Sequence, residues 1–194
     1  MGTGRFSHLI LTNSEIIVDL AFDTNKQFTH ALNDPNYQSF LLYPGDNSLD
    51  IREMSSELSS DKRPLQIFVI DGTWPCAKKM VKLTPSLHHL PRISFKSNRV
   101  SKFQIKHQPI EGCLSTVESL HQVIIELNEI GLEKTQGQEE NLMDVFLSTV
   151  DQQLSLASDP SRQGYRKKPF STPEQRKISK KWSGRSLYFK PESE

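Results

Sequence analysis

Apolar residues in this chain fall into two patterns, short β-branched runs and stripes of helical period, and the alternation between them marks the elements. The clearest run is Gln66-Ile67-Phe68-Val69-Ile70, too short for a stable helix and bounded by Pro64 and Gly72. It predicts a buried strand that delivers Asp71 at its carboxyl end. Ser39-Phe40-Leu41-Leu42-Tyr43-Pro44-Gly45 repeats the pattern and predicts a second buried strand stopped by a proline-glycine turn. If the two run parallel, Tyr43 and Pro44 share a rim with Asp71. Arg92-Ile93-Ser94-Phe95 reads as a strand followed by the basic turn Lys96-Ser97-Asn98-Arg99, and Phe103-Gln104-Ile105-Lys106 alternates as a half-exposed strand would. Near the start, Ser7-His8-Leu9-Ile10-Leu11 and Glu15-Ile16-Ile17-Val18 are β-rich runs split by the polar turn Thr12-Asn13-Ser14.

The helical stripes lie between these runs. Asp23-Thr24-Asn25 opens a short helix with Phe28, Ala31 and Leu32 on one face, ending near Asp34-Pro35. Thr73 can cap a helix that starts near Trp74, with Pro75 in its first turn and Ala77, Met80, Val81 and Leu83 as its apolar side. Val117, Leu120, Val123, Ile124 and Leu127 define a longer helix, with Ser115 or Thr116 as N-cap, Glu118 or Ser119 near the capping-box position, and Gly131 as its stop. A last helix over 141–156 packs Leu142, Val145, Phe146, Val150 and Leu154, while 47–60 is polar and reads as a loop or short helix. Strands interleaved with helices predict an α/β fold, a mostly parallel sheet flanked by helices. Ligands of such sheets bind beyond the strand carboxyl ends, which is where Asp71 falls.

Composition divides the chain. A hydrophobic fraction of 35% over 194 residues is low for one compact domain, and the net charge of +1 conceals a basic terminal segment. From Ser161 onward, Arg166, Lys167, Lys168, Lys180 and Lys181 alternate with Tyr165, Phe170, Trp182, Tyr188 and Phe189, a pattern suited to neutralising phosphates and stacking bases, or to a solvated tail or one folded back on the domain. The expected division is therefore a domain over 1–158 and a basic, aromatic-containing extension over 159–194. No apolar run approaches the length that spans a bilayer, no signal-peptide core precedes the domain, and Phe6 stands where myristoylation needs Ser or Thr. A cytoplasmic monomer without membrane attachment is expected. Cys76 and Cys113, the only cysteines, are too few and too far apart for a zinc cluster or disulfide framework, and His88-His89 lacks ligands at metal spacing, so no metal is expected.

Asp71-Gly72-Thr73-Trp74 resembles the Asp-x-Thr-Trp signature of the DTW-domain family, the tRNA-uridine aminocarboxypropyltransferases. Leu90-Pro91 with Arg92-Ile93-Ser94-Phe95, then Gln108-Pro109 leading into Gly112-Cys113-Leu114-Ser115-Thr116-Val117-Glu118-Ser119, resemble later family blocks in the same order. The likeness runs from Thr3-Gly4-Arg5 to about Glu129. It lacks the N-terminal cysteine cluster of many relatives, as either a natural short form or a truncated chain would.

The resemblance implies a SPOUT-like domain with a knotted C-terminal half, S-adenosylmethionine as donor substrate and tRNA as acceptor. The implied reaction moves the 3-amino-3-carboxypropyl group to N3 of a uridine and releases methylthioadenosine. Asp71, Thr73 and Trp74 are the catalytic candidates, with Asp71, partly desolvated at its strand end, as the base, the orienter of the uracil or the counter-ion of the sulfonium. Tyr43, Pro44, Gly72, Trp74, Leu90, Leu114, Ser115, Thr116 and Glu118 are the donor-binding candidates. Arg5 and Lys106 join the basic extension as RNA-binding candidates; an arginine is usual in the family near Lys106, and lysine keeps its charge without the planar fork. The rival readings are an RNA methyltransferase on a similar scaffold and a non-catalytic RNA-binding module.

Overall fold

The computed structural model describes residues 2–54, 61–97, 99–105 and 112–159. The basic extension lies outside them, and with it Arg166, Lys167, Lys168, Lys180 and Lys181, as does Lys106. The elements are α1 (Thr3–Ile10), α2 (Lys26–Leu32), β1 (Gln38–Leu42), β2 (Leu49–Asp50), β3 (Leu65–Val69), α3 (Trp74–Leu83), β4 (Arg92–Ser94), α4 (Thr116–Glu129) and α5 (Glu140–Ser158). Single 3-10 turns occupy Phe22–Thr24, Ile51–Glu53 and Pro85–His88.

The strands form one parallel sheet in the order β2-β4-β1-β3. Leu42 pairs with both Val69 and Ile93, so β1, β3 and β4 reach their carboxyl ends together. Alternate side chains of β1 feed opposite faces, as the pleat requires. Phe40, with Leu42 packed beside it, joins Ile51, Met54, Ile93, Val123 and Leu127 beneath α4, whereas Leu41 and Tyr43 join Phe22, Phe28, Val81 and Leu87 beneath α2 and α3. A further cluster of Phe103, Val117, Leu142, Met143, Phe146 and Val150 lies behind α4, where α5 and α1 pack against it. Helix α4 is thus covered by the sheet on one side and by helices on the other.

Several local expectations match. Asn25 caps α2 by accepting from the N–H groups of Gln27 and Phe28, Ser115 and Glu118 form a capping box on α4, and Gly131, at φ 77°, follows that helix in a left-handed conformation.

Six expectations are corrected. The run Ser7-His8-Leu9-Ile10-Leu11 lies in and just after α1 rather than in a strand: Thr3 and Ser7 are buried one turn apart, Ile10 follows at helical spacing, and Leu9 is 77% exposed. Small side chains at Thr3 and Ser7 bring this helix close to α4 and α5, a non-local contact that outweighs β propensity. Glu15-Ile16-Ile17-Val18 is irregular; only Ile17 packs on the core, and Val18 is 78% exposed. Residues 103–105 form no strand, because Phe103 turns away from the sheet to meet Phe146 edge-on at 5.3 Å. Finally, β3 is the edge of the described sheet, half-buried along its length, and the short edge strand β2 falls where a loop or helix was expected. Leu83, expected on the apolar side of α3, is also 41% exposed.

Candidate active site

Two strands and three helix starts bring the candidate residues to one rim. Beyond Val69 the chain passes through Ile70, still packed on the core, to Asp71, which is exposed. It is therefore less desolvated than its strand-end position suggested. The carboxylate is nevertheless held. Thr116 Oγ1, in the first residue of α4, donates to Asp71 Oδ1 at 2.6 Å. The start of α1 closes over the other side: a Cβ on Gly4 would lie 2.7 Å from Asp71 Cγ, and one on Gly2 would lie 3.0 Å from Oδ2. A side chain at Gly4 would push the acid from this position, and one at Gly2 would crowd its outer oxygen. Asp71 also stands two residues before Thr73, the N-cap of α3. The starts of three helices thus meet at one carboxylate.

The start of α4 is built by Glu118. Its carboxylate is 6% exposed and accepts from Ser115 N at 2.8 Å, Ser115 Oγ at 2.6 Å, Ser101 Oγ at 2.8 Å and Lys102 N at 2.6 Å. One acid therefore closes the capping box and ties the loop at Ser101 and Lys102 to the helix that carries Thr116. With those bonds in place, Glu118 orients the site instead of reaching into it. Ser115 is buried in the same box, and Leu114 and Thr116 are half-buried beside it.

The remaining candidates divide. Trp74 is half-buried in the first turn of α3, next to exposed Thr73, whose side chain makes no capping hydrogen bond, and exposed Gly72. Tyr43 is 3% exposed and sits in the core with the Arg92 guanidinium 5.6 Å from its ring centre. Pro44 is half-buried after it. Leu90 packs on the same cluster, before β4 rather than after it, so its side chain belongs to the core. Arg5 is exposed on α1, one residue beyond Gly4. Among the described residues there is no group of three His, Cys, Asp or Glu side chains placed to hold a metal, and no helix long and apolar enough to cross a membrane.

Two features escaped the sequence reading. The close approach of Gly2 and Gly4 to Asp71 is one, and two glycines flanking Thr3 were its only local signal. Ser101 as a partner of Glu118 is the other, with no signal short of tertiary structure.

A parallel α/β sheet with a held carboxylate on its carboxyl rim, ringed by helix starts, is the arrangement in which open α/β folds as a class place their ligand sites. The DTW domain matches residues 1–154, and the chain belongs to that family. It is similar to "tRNA-uridine aminocarboxypropyltransferase 2" of Drosophila melanogaster, 37% identical over 87 residues that cover 45% of this chain and 33% of that protein. The Macaca fascicularis and Mus musculus proteins of the same name are 34% and 37% identical over 80 and 81 residues, each covering 41% of this chain and 26% of theirs. The similarity thus spans a third or less of these relatives. No solved structure matches the chain.

Proposed function

We propose that the chain is a tRNA-uridine aminocarboxypropyltransferase, SPOUT-like with a knotted C-terminal half, which uses S-adenosylmethionine to alkylate N3 of a uridine. The observation that carries this reading is Asp71, held by Thr116 and the glycines of α1 beside Trp74 and still exposed to a substrate. The residues present fit the donor. The first turn of α4 would offer backbone N–H groups to a carboxylate or ribose hydroxyl, the backbone at Leu114 and half-buried Pro44 would line the donor's place with buried Tyr43 supporting Pro44 from the core, Leu90 would contribute through its backbone alone, and Asp71 would supply negative charge to the sulfonium.

In the reaction the uracil N3–H loses its proton to Asp71. The N3 lone pair then forms a bond to the terminal carbon of the aminocarboxypropyl chain, and the carbon–sulfur bond breaks with its electron pair staying on sulfur as a neutral thioether. A sulfonium activates all three attached carbons, so the protein's contribution is orientation, presenting the propyl carbon and withholding the methyl. Thr116 fixes the carboxylate for that geometry, and Trp74 offers a flat apolar surface to the extruded base.

The test is Asp71→Ala, assayed by mass spectrometry of tRNA nucleosides after incubation with S-adenosylmethionine. Loss of the aminocarboxypropyl-uridine product with folding retained is expected; wild-type turnover in the variant refutes the assignment. The by-product separates the methyltransferase rival, since methylthioadenosine marks propyl transfer and adenosylhomocysteine marks methyl transfer.

A further inference from the structure

The loop that Glu118 holds carries cations for which the site has no other use. Ser101 and Lys102 give Glu118 a hydroxyl and a backbone N–H, and Phe103 anchors the loop's end against Phe146. The side chains of Arg99 and Lys102 are left exposed, and neither has an ion-pair partner among the described residues. Lys96, in contrast, lies 3.7 Å from Asp50. From Lys102 the path to the catalytic carboxylate is short: its N–H reaches Glu118, Glu118 receives Ser115, and the neighbouring Thr116 donates to Asp71. On the opposite side of Asp71, Arg5 follows Gly4 and is likewise exposed without an ion pair among the described residues.

A buried carboxylate that fixes a loop outside the sheet needs a reason, and the exposed cations which that loop carries provide one. The two acids that the chain of hydrogen bonds links to this loop are engaged elsewhere, Glu118 by its hydrogen bonds and Asp71 by Thr116. We infer that Arg99 and Lys102, together with Arg5 across the rim, form a preorganised phosphate-binding arc that grips the tRNA backbone on either side of the target nucleotide. This rests on the reading of Asp71 as the uridine-facing acid. Rigid placement matters because a backbone clamp held in one register, more than net charge, selects which nucleotide meets Asp71.

The test uses the full chain carrying Arg99→Gln with Lys102→Gln, against a control that removes equal charge at or beyond the carboxyl ends of the two helices that start at the rim, Lys82→Gln with Lys134→Gln. Affinity for total tRNA is measured by fluorescence anisotropy over a salt series, S-adenosylmethionine binding by calorimetry, and product by nucleoside mass spectrometry. The arc variant should bind tRNA at least tenfold more weakly and lower the slope of log affinity against log salt by roughly 1.4–1.8, for two lost phosphate contacts at about 0.7–0.9 each. Donor binding should be unchanged, and the control should shift tRNA affinity less than twofold. Should the double variant misfold, the single substitutions decide, each carrying about half the slope change. An arc variant indistinguishable from the control overturns the inference while leaving the proposed reaction standing. Arc-dependent tRNA binding without any aminocarboxypropyl product retains the inference and removes the reaction. A wild-type chain that ignores tRNA, or binds heparin and acidic peptide equally well through these residues, overturns it.

Discussion

Replacing Glu118 by alanine tests the construction of the site most directly. Its carboxylate accepts from Ser101 Oγ, Lys102 N, Ser115 N and Ser115 Oγ at 2.6–2.8 Å while 6% exposed, so truncation strands several donors at once. A hydrogen bond to a charged acceptor contributes about 1.5–3 kcal/mol, but bonds sharing one acceptor are not additive, and water entering the vacated space satisfies some of the donors. A capping residue alone contributes about 1 kcal/mol. Together these place the loss at roughly 3 kcal/mol, a large part of the usual margin of about 5–15 kcal/mol for a domain. Glu118→Gln should lose less, since its amide oxygen can still accept. Urea unfolding followed by far-ultraviolet circular dichroism measures both, with the midpoint falling and the slope unchanged. Because the Lys102 loop and the start of α4 are released together, S-adenosylmethionine affinity should fall with stability. A loss below about 1 kcal/mol for the alanine variant, at equal slope, would show that the bonds read from the structure do not hold the site and refute the reasoning.

Other outcomes follow from the same geometry. Gly4→Ala should cut product formation at least tenfold with little change in thermal midpoint, because alanine's helical preference of up to about 1 kcal/mol offsets a Cβ placed 2.7 Å from Asp71 Cγ; undiminished activity would mean that Asp71 moves freely. Thr116→Val removes the donor to Asp71 and should lower kcat by about tenfold, with Thr116→Ser restoring it, since one displaced hydrogen bond to a reacting carboxylate is on the order of 1–2 kcal/mol; unchanged steady-state kinetics would assign Thr116 to folding alone. Burial pushes the Glu126 carboxyl upward, against the opposing pull of its hydrogen bond from Gln122 and of Arg52 at 3.7 Å. Its folded-state value therefore exceeds the unfolded one, so its contribution is fully present below the unfolded value and is lost as pH rises through the folded one. Glu126→Gln should accordingly gain most in stability over the native chain at neutral and alkaline pH; an equal difference at pH 4 and pH 8 in urea titrations would contradict this.

Much of the scaffold could be read locally, and the reason is that its cues are contained in single elements. Ile67, Val69 and Phe40 follow the demands of a pleated sheet, Asn25 and Ser115 cap helices through N–H groups two or three residues away, and Gly131 supplies a left-handed stop. The position of Asp71 at a strand's carboxyl end belongs to this class, whereas the parallel partnership with β1 that puts Tyr43 and Pro44 beyond the adjacent strand is only a condition in the sequence and is met by the pairing of Leu42 with Val69.

Tertiary structure decided what depends on contacts across the chain. The first helix has a β-like sequence around Ile10 and Leu11, and only its docking on α4 and α5 through Thr3 and Ser7 selects the helical period. Because α4 is sandwiched between sheet and helices, Glu118, His121, Gln122 and Glu126 are buried although their pattern reads as a solvent face. The hold on Asp71 joins Gly4, Asp71 and Thr116 from three separate segments. Hydrophobic period and capping act over a few residues and are written in consecutive letters, whereas close approach and shared hydrogen bonds depend on where distant backbones meet, which only the packed chain defines.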